Sequence, residues 1–217
     1  MRRRFWRIVG KIKRMPSPSQ AVVKKAAEIR DILYEQRLGK PKPLGWLAVW
    51  FLGGVFCVSV HLWAVTLGPP YIGEFFYDIM VVMSIRGSTV GGAIVAFYPF
   101  GRLIIGKITR IRLDGITRDI YFLPTLKINY ETYLVAHPPH RQWFFFFAGA
   151  WTVITATWLG VLAFLLSGEW IGLAIALILA IAEAFGAIIG GKWAGELGHF
   201  KRERRIVRDW RQNLVGT

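Results

Sequence analysis

The candidates for chemistry in this sequence are four polar side chains in or beside long apolar segments: His61, Tyr98, Arg102 and Glu183. Glu183 is the one charged residue in the run 170–191, where burying an ionisable group costs of order 2.5–3.5 kcal/mol. Arg102 is the first cation after another apolar run, which ends in the stretch AFYPFGR. Pro99 in this stretch is expected to bend a helix and swing Arg102 sideways. We therefore predict a polar contact between Arg102 and Glu183, with Tyr98 nearby.

His61, in the stretch VSVHLWAV, is the one histidine within a long apolar run. A single imidazole can be the axial ligand of a chlorophyll-type pigment, whereas a haem held by two histidines needs a second one from another chain. The alternative interpretation is a buried histidine that hydrogen-bonds to a neighbouring helix. The sequence therefore predicts no cofactor, with a chlorophyll-type pigment or haem at His61 as the alternative.

The other histidines do not form a pattern typical of a metal site. His137 and His140 are separated by Pro138 and Pro139, so they do not lie one turn apart on a helix. Cys57 is the only cysteine, and no further cluster of cysteine and histidine supports metal binding. We therefore expect no metal, no catalytic residues and a chain that is not an enzyme.

Long uncharged runs must position these side chains. Leu44 to Leu67 and Trp143 to Leu166 each contain 24 residues without a charge, and a bilayer core needs roughly 20 helical residues. The runs 79–101 and 170–191 are similarly apolar, apart from Arg86 and Glu183. The sequence predicts an all-α integral membrane protein, a bundle of four transmembrane helices near 44–67, 79–101, 143–166 and 170–191.

The net charge of +15 is distributed unevenly along the chain. Residues 1–43, 102–142 and 192–217 hold 27 of the 28 lysines and arginines, and the predicted turns at 68–73 and 167–169 hold none. This is the positive-inside pattern, so we predict a multi-pass protein with both termini cytoplasmic, facing an anionic leaflet. Membrane topology explains the charge, and nucleic acid is not expected as a partner.

The basic segments are predicted to be cytoplasmic elements that flank two helix pairs, 44–101 and 143–191. Residues 1–43 contain two amphipathic helices, the first with Phe5, Val9 and Ile12 on a face that suits a membrane surface. Residues 102–142 alternate in polarity around Asp114-Gly115, which predicts a β-hairpin with its turn there. Residues 192–217 form a basic amphipathic helix, with a stripe of Trp193, Leu197, Phe200, Val207 and Trp210. No short apolar core typical of a secretory signal follows the basic start.

Glycines recur at four-residue spacing in the second and fourth predicted spans. This spacing lets helix backbones approach closely, so these two helices are expected to be close-packed members of a compact bundle. The glycines are Gly87, Gly91 and Gly92 in the second span and Gly186, Gly190 and Gly191 in the fourth.

The order of features over about residues 80 to 210 resembles the site-2 protease family of intramembrane zinc metallopeptidases. In that family a span carries H-E-x-G-H near its cytoplasmic end, a β-hairpin region follows, and a later span supplies an acidic ligand. Here YPFGR is followed by KITRIRLDGI and then by a span with an acid. With Gly101 matched to the motif glycine, Tyr98 and Arg102 take the two histidine positions and Pro99 takes that of the general base. The resemblance implies a degenerate, non-catalytic member, because arginine cannot coordinate zinc and proline carries no titratable proton.

The sequence therefore predicts a non-catalytic membrane protein, a scaffold or accessory subunit of a larger complex with other membrane subunits as partners. Aromatic residues make up 15% of the chain, which favours lateral contact surface. A pigment- or haem-binding subunit that uses His61 is one alternative. An intramembrane metallopeptidase with unusual ligands is another.

Overall fold

The computed structural model describes residues 2–15, 17–66, 76–118, 124–168, 170–189 and 196–215, although the side chains at some of these positions, including Glu183, are outside the description. The chain forms eight helices and two strands in these ranges. They are α1 (Arg2–Ile12), α2 (Gln20–Leu38), α3 (Trp46–Thr66), α4 (Phe76–Thr109), β1 (Leu113–Arg118), β2 (Pro124–Ile128), α5 (Tyr130–Val135), α6 (Pro138–Ser167), α7 (Trp170–Ile189) and α8 (Glu196–Val215).

Three of these helices are long and apolar enough to cross a membrane: Trp46–Thr66, Met83–Thr109 and Pro138–Leu166. The prediction of a mostly helical fold with apolar helices of membrane-spanning length and a small antiparallel sheet is confirmed at this level. The fourth predicted span coincides with α7, in which the described apolar part, Trp170–Ala182, is shorter than the other three. The predicted turn at 68–73 lies outside the described residues.

The long helices pack through small side chains. Gly87 and Gly91 of α4 lie against α7, where a Cβ added at Gly87 would sit 2.8 Å from Ile171 Cγ2. Gly92 faces the sulfur of Cys57 on α3. Alanines of α6 and α7 line the interior between α4, α6 and α7. Helices in lipid gain their stability from such close contact, because lipid tails are as apolar as the side chains. Gly186 lies within α7, whereas Gly190, Gly191 and Trp193 lie outside the described residues.

Helix α4 continues eight residues beyond the predicted end at residue 101. It ends where Arg110 adopts a left-handed backbone conformation, with φ of 59°, and the N–H of Ile111 donates to the carbonyl of Gly106. This six-to-one bond satisfies a terminal carbonyl of the helix. Arg102 is therefore two turns inside the helix rather than at its end.

The sheet is the predicted hairpin region, but the predicted turn at Asp114-Gly115 is wrong. Strands β1 and β2 pair antiparallel, and both residues lie within β1 at an irregularity in the register, so the connection falls in 119–123, outside the described residues. Lys42 and Ile116 exchange two backbone hydrogen bonds of 2.8 Å, which brings the Lys42 carbonyl to 2.4 Å from a Cβ placed at Gly115. Gly115 is thus explained by a bulge and a close backbone approach, two uses of glycine that share the sequence signature of a turn.

The elements outside the long apolar helices, several of which are rich in cations, form one layer over the ends of α4 and α6. This basic layer consists of α1, α2, α5, α8 and the sheet. Phe5, Val9 and Ile12 are buried in its core with Ile105, Phe144 and other apolar side chains. The apolar face of α1 therefore packs on the protein itself, and the prediction that it lies on the membrane surface is wrong. In α2 the buried face is Val23, Ala26 and Ala27, whereas Val22 and Ile29 are exposed.

Candidate functional site

Three polar side chains, two of them buried, lie on the inner face of α8. Glu196, His199 and Glu203 follow one another at spacings of three and four residues, which places them on one side of a helix. Glu196 and Glu203 are 1% and 2% exposed. Helix α8 runs antiparallel to the first third of α6, since Leu197 lies against Gly149, Phe200 against Phe146 and Trp210 against His137.

Glu196 is the acceptor of a cluster that joins α4, α8 and β2. Nε of Arg102 donates to Oε1 of Glu196 at 2.5 Å, Nη2 of Arg102 pairs with the same oxygen, and the Tyr98 hydroxyl donates to it at 3.3 Å. Nη1 of Arg102 donates to Thr125 Oγ1 at 2.5 Å and to the carbonyl of Leu126 at 2.9 Å. The other oxygen, Oε2, is buried and has no hydrogen-bond partner among the described residues. We call this group the Glu196 cluster.

The stretch YPFGR places α6 directly on α4 beside this cluster. A Cβ added at Gly101 would lie 2.7 Å from Cγ of Trp151, so the indole packs on bare backbone. Nε1 of Trp151 donates to the carbonyl of Phe97 at 3.1 Å. Gly101 lets the indole approach, and Arg102 then reaches from α4 to α8 and the sheet.

Glu203 is the centre of a second cluster, which joins α1, α5, α6 and α8. Nζ of Lys13 is 2.6 Å from Oε1 of Glu203, and the Tyr133 hydroxyl donates to the same oxygen at 2.7 Å. Nε of Arg141 donates to Oε2 at 3.2 Å, and the rest of its guanidinium donates to the backbone carbonyls of Lys13, Leu134 and Ala136. We call this group the Glu203 cluster.

Burial and neighbouring charge shift the protonation of the Glu203 cluster in opposing ways. Burial alone would raise the pKa of Glu203, but the charges of Lys13 and Arg141 outweigh it and hold that pKa below its ordinary value. Burial lowers the pKa of Lys13, although Glu203 opposes the shift. Burial raises the pKa of the Tyr133 hydroxyl well above its ordinary value, and the negative charge of Glu203 adds to this. The carboxylate is therefore ionised and the phenol neutral at neutral pH.

His199 lies between the two carboxylates but bonds to neither. Its ring stacks on Phe145 with centroids 4.8 Å apart, and Nδ1 lies 2.9 Å from Nη2 of Arg202. Burial lowers the pKa of His199 well below its ordinary value, and the charges of Arg202, Arg102 and Lys13 act in the same direction. The ring is therefore neutral at neutral pH, with Nδ1 as the acceptor from Arg202.

A third polar group holds α2 on the sheet. Lys127 is 5% exposed, and its Nζ lies 3.2 Å from Asp31 and 3.6 Å from Glu35 of α2. The hydroxyls of Tyr34 and Thr117 are hydrogen-bonded at 2.7 Å. These contacts, like the two clusters on α8, connect elements that are distant in sequence.

The structure brings together two of the three residues predicted to form an intramembrane contact. Tyr98 and Arg102 meet on the carboxylate of Glu196, whereas the side chain of Glu183 lies outside the described part of the chain. Glu196 lies beside Gly149 of α6 and is the acidic partner of Arg102 among the described residues.

His61 of α3 and Arg86 of α4 each bond to the neighbouring apolar helix. His61 is 8% exposed, and its Nδ1 lies 3.1 Å from Oγ1 of Thr89 on α4. A buried histidine that hydrogen-bonds to a neighbouring helix is the alternative to a pigment or haem ligand at this position. Arg86 is 1% exposed and donates to the carbonyl of Ala64 through Nε and Nη2, so it is held inside the bundle.

Sequence reasoning missed Glu196, Glu203, Lys13 and Arg141. Glu203 falls between Phe200 and Val207 on the predicted apolar stripe of α8. An acid within an apolar stripe indicates a buried carboxylate that needs a cationic partner, and this signal was present in the sequence. The partners themselves are 62 and 190 residues away, so that only the fold identifies them.

The chemistry available at these clusters is that of ion pairs. Tyr98, Pro99 and Arg102 do not fit a zinc ion and its general base, because a guanidinium donates only and repels a cation. Among the described residues, no three side chains of His, Cys, Asp or Glu are arranged to hold a metal. No family model, curated protein or solved structure matches the chain, so the interpretation depends on this geometry alone.

Proposed function

We propose that the protein is a non-catalytic scaffold or accessory subunit of a larger membrane complex. It crosses the bilayer four times with both termini cytoplasmic, and the basic layer faces an anionic leaflet. The fold is that of a degenerate site-2 protease-like protein, in which the position of the zinc ligands has become a structural ion pair.

The Glu196 cluster is the observation that carries this proposal. In a metallopeptidase this position must offer lone pairs to a metal and a base to a water. Arg102 instead offers donors, and Glu196, Thr125 and the carbonyl of Leu126 accept them. The two buried acids on α8, Glu196 and Glu203, have cationic partners, so the site stabilises the packing of α4, α8 and the sheet.

The exposed apolar surface of the bundle supports a role in lateral assembly. Only 17% of the most apolar stretch of α3 is buried. Large side chains such as Phe56 and Trp63 lie on its open side. Such aromatic surface packs on lipid or on a neighbouring subunit, and aromatic residues are enriched in the interfaces of complexes.

Crosslinking and purification in mild detergent test the assembly. A photo-reactive residue at Phe56 is expected to yield one discrete adduct with another membrane protein. The matched control is the same residue at Leu165 of α6, which is exposed on another helix. The proposal would be contradicted if both positions crosslinked only to lipid and the purified protein were monomeric in detergent.

The alternatives have their own readouts. A chlorophyll-type pigment or haem at His61 would give a visible absorption band in the purified protein that His61→Ala removes. A metallopeptidase with unusual ligands would retain stoichiometric zinc after washing with a chelator and would cleave a membrane-spanning peptide. We expect no band, no retained zinc and no cleavage.

A further inference from the structure

A groove of about 570 Å³ opens between α8 and the first turn of α6. Its lining is Gln142 from α6 and, from α8, Lys201, Arg204, Arg205, Val207, Arg208, Arg211 and Gln212. Five of these residues are cations and two are amides. Val207 is 4% exposed and forms an apolar floor.

The arginines of the groove have no acidic partner in the part of the chain that the structure describes. Among the described residues, no carboxylate forms an ion pair with Arg204, Arg205, Arg208 or Arg211. The nearby acid Asp209 pairs with Arg14 at 3.2 Å instead. Four neighbouring arginines without counter-charges repel one another, so an anion with several charges would stabilise them.

The position of the groove selects a lipid over a soluble anion. Gln142 immediately precedes the uncharged run that starts at Trp143, which places the groove at the level of the lipid headgroups. Trp143 and Phe146 are 59% and 40% exposed, and their rings are in edge contact. Phe146 lies about one helical turn further along α6 than Gln142. Phe146 also packs on Phe200 of α8, with ring centroids 5.2 Å apart. A headgroup in the groove would have its acyl chains along this aromatic wall.

We propose that the groove binds an anionic phospholipid with two or more phosphate charges in its headgroup. The arginines contact the phosphates, since a guanidinium can donate two parallel hydrogen bonds to phosphate oxygens. Gln142 and Gln212 contact the polar headgroup atoms, and the chains pack on Trp143 and Phe146. This inference depends on the membrane placement in the proposed function and adds a class of lipid that the protein binds.

The test measures lipid binding to the full-length protein in a neutral detergent. Cardiolipin is the diphosphate lipid, phosphatidylcholine the zwitterionic lipid and inorganic pyrophosphate the soluble anion. The groove variant combines Arg204→Gln, Arg208→Gln and Arg211→Gln. The control combines Arg4→Gln, Arg7→Gln and Arg112→Gln, which removes the same charge from exposed positions outside the groove.

We expect cardiolipin to bind the native protein and the control alike, and to bind the groove variant roughly a hundredfold more weakly, at about fivefold for each cation removed. If the triple variant does not fold, Arg208→Gln alone is used, and it is expected to weaken cardiolipin binding about fivefold. Equal weakening in the control would show general charge attraction and overturn the proposal. Equal affinity for pyrophosphate or phosphatidylcholine would also overturn it. Resistance to carbonate extraction is scored separately, so that failure of membrane insertion is distinguished from failure of this site.

Discussion

The two buried glutamates of α8 differ in how completely their charge is matched. Glu203 is bonded through both oxygens, to Lys13 and Tyr133 on one and to Arg141 on the other. Glu196 accepts every described bond through one oxygen. A buried carboxylate with an unsatisfied oxygen depends more strongly on its one cation, so Arg102 is the residue on which Glu196 depends.

A double-mutant cycle on Arg102→Gln and Glu196→Gln tests this dependence. Each single change is expected to lower the free energy of unfolding by about 3–5 kcal/mol, because it leaves a buried group without its partner. The double variant is expected to lose much less than the sum. Thermal unfolding in detergent measures the coupling.

The matched cycle replaces Glu196→Gln with Glu183→Gln. Here the two effects are expected to add, since Arg102 is already occupied by Glu196, Thr125 and Leu126. A large coupling to Glu183 and none to Glu196 would instead restore the contact that the sequence predicted.

His199 gives the protein a pH dependence that can be assigned to one ring. Burial holds the pKa of His199 well below its ordinary value of about 6.5. Between pH 7 and pH 5 the unfolded chain takes up a proton that the folded ring refuses, so stability falls as pH falls. The ring is partly exposed, so we expect a loss of about 1 kcal/mol at pH 5.

The comparison variant is His199→Phe, which keeps the stacking on Phe145. It is expected to reduce the difference between the unfolding temperatures at pH 7 and pH 5. His137 and His140 remain in both proteins, and Glu203 titrates below this window because its pKa is lowered. An unchanged difference would mean that His199 is protonated in the folded state.

Among the elements, α4 and α6 cross at Gly101 with no room for a larger side chain. The Trp151 ring and its Cβ lie within 2.8 Å of the position of a Gly101 Cβ. These atoms are the base of the side chain, so a new methyl group must push the two helices apart. The same crossing sets the position from which Arg102 reaches α8.

Gly101→Ala is therefore expected to destabilise the protein by about 1–3 kcal/mol, as overpacking in a tight interior does. Gly53→Ala on α3 is the control, because Gly53 has no atom within 4 Å of its Cβ position. In a helix that change is expected to be neutral or to stabilise by about 0.5–1 kcal/mol. Unfolding temperatures in the same detergent compare the two, and equal effects would show that the crossing tolerates a side chain.

The sequence predicted elements that depend on local patterns and missed those that depend on distant contacts. Runs of apolar residues predicted α3, α4 and α6 because a span needs a fixed length of apolar chain. Pro99 and Gly101 resemble a helix boundary in the sequence, but α4 continues through both, and Trp151 packs on Gly101. The turn at Asp114-Gly115 was wrong because Lys42, far away in sequence, occupies the space beside Gly115.

On the scale of the whole molecule, ion pairs connect the two ends of the chain to the bundle. Lys13 follows α1, and its Nζ lies 2.6 Å from Oε1 of Glu203 on α8. The other oxygen of Glu203 pairs with Arg141 at the start of α6. The basic layer is therefore one unit rather than two separate tails. Its excess of cations lies on the outside, where an anionic leaflet would contact it.

The last prediction is the topology that this arrangement requires. If the basic layer is cytoplasmic, both termini and the segment 102–142 lie on one side, and the turns at 68–73 and 167–169 lie on the other. Because Cys57 is the only cysteine, Cys57→Ser gives a background into which single cysteines can be introduced. In intact cells, a membrane-impermeant thiol reagent is expected to label a cysteine at Gly168 and to leave those at Ser17 and Gln212 unlabelled until the membrane is opened. Three spans would place Ser17 and Gln212 on opposite sides, and an inverted protein would exchange the labelled and protected positions. The pattern expected here arises only with an even number of spans and the basic layer inside.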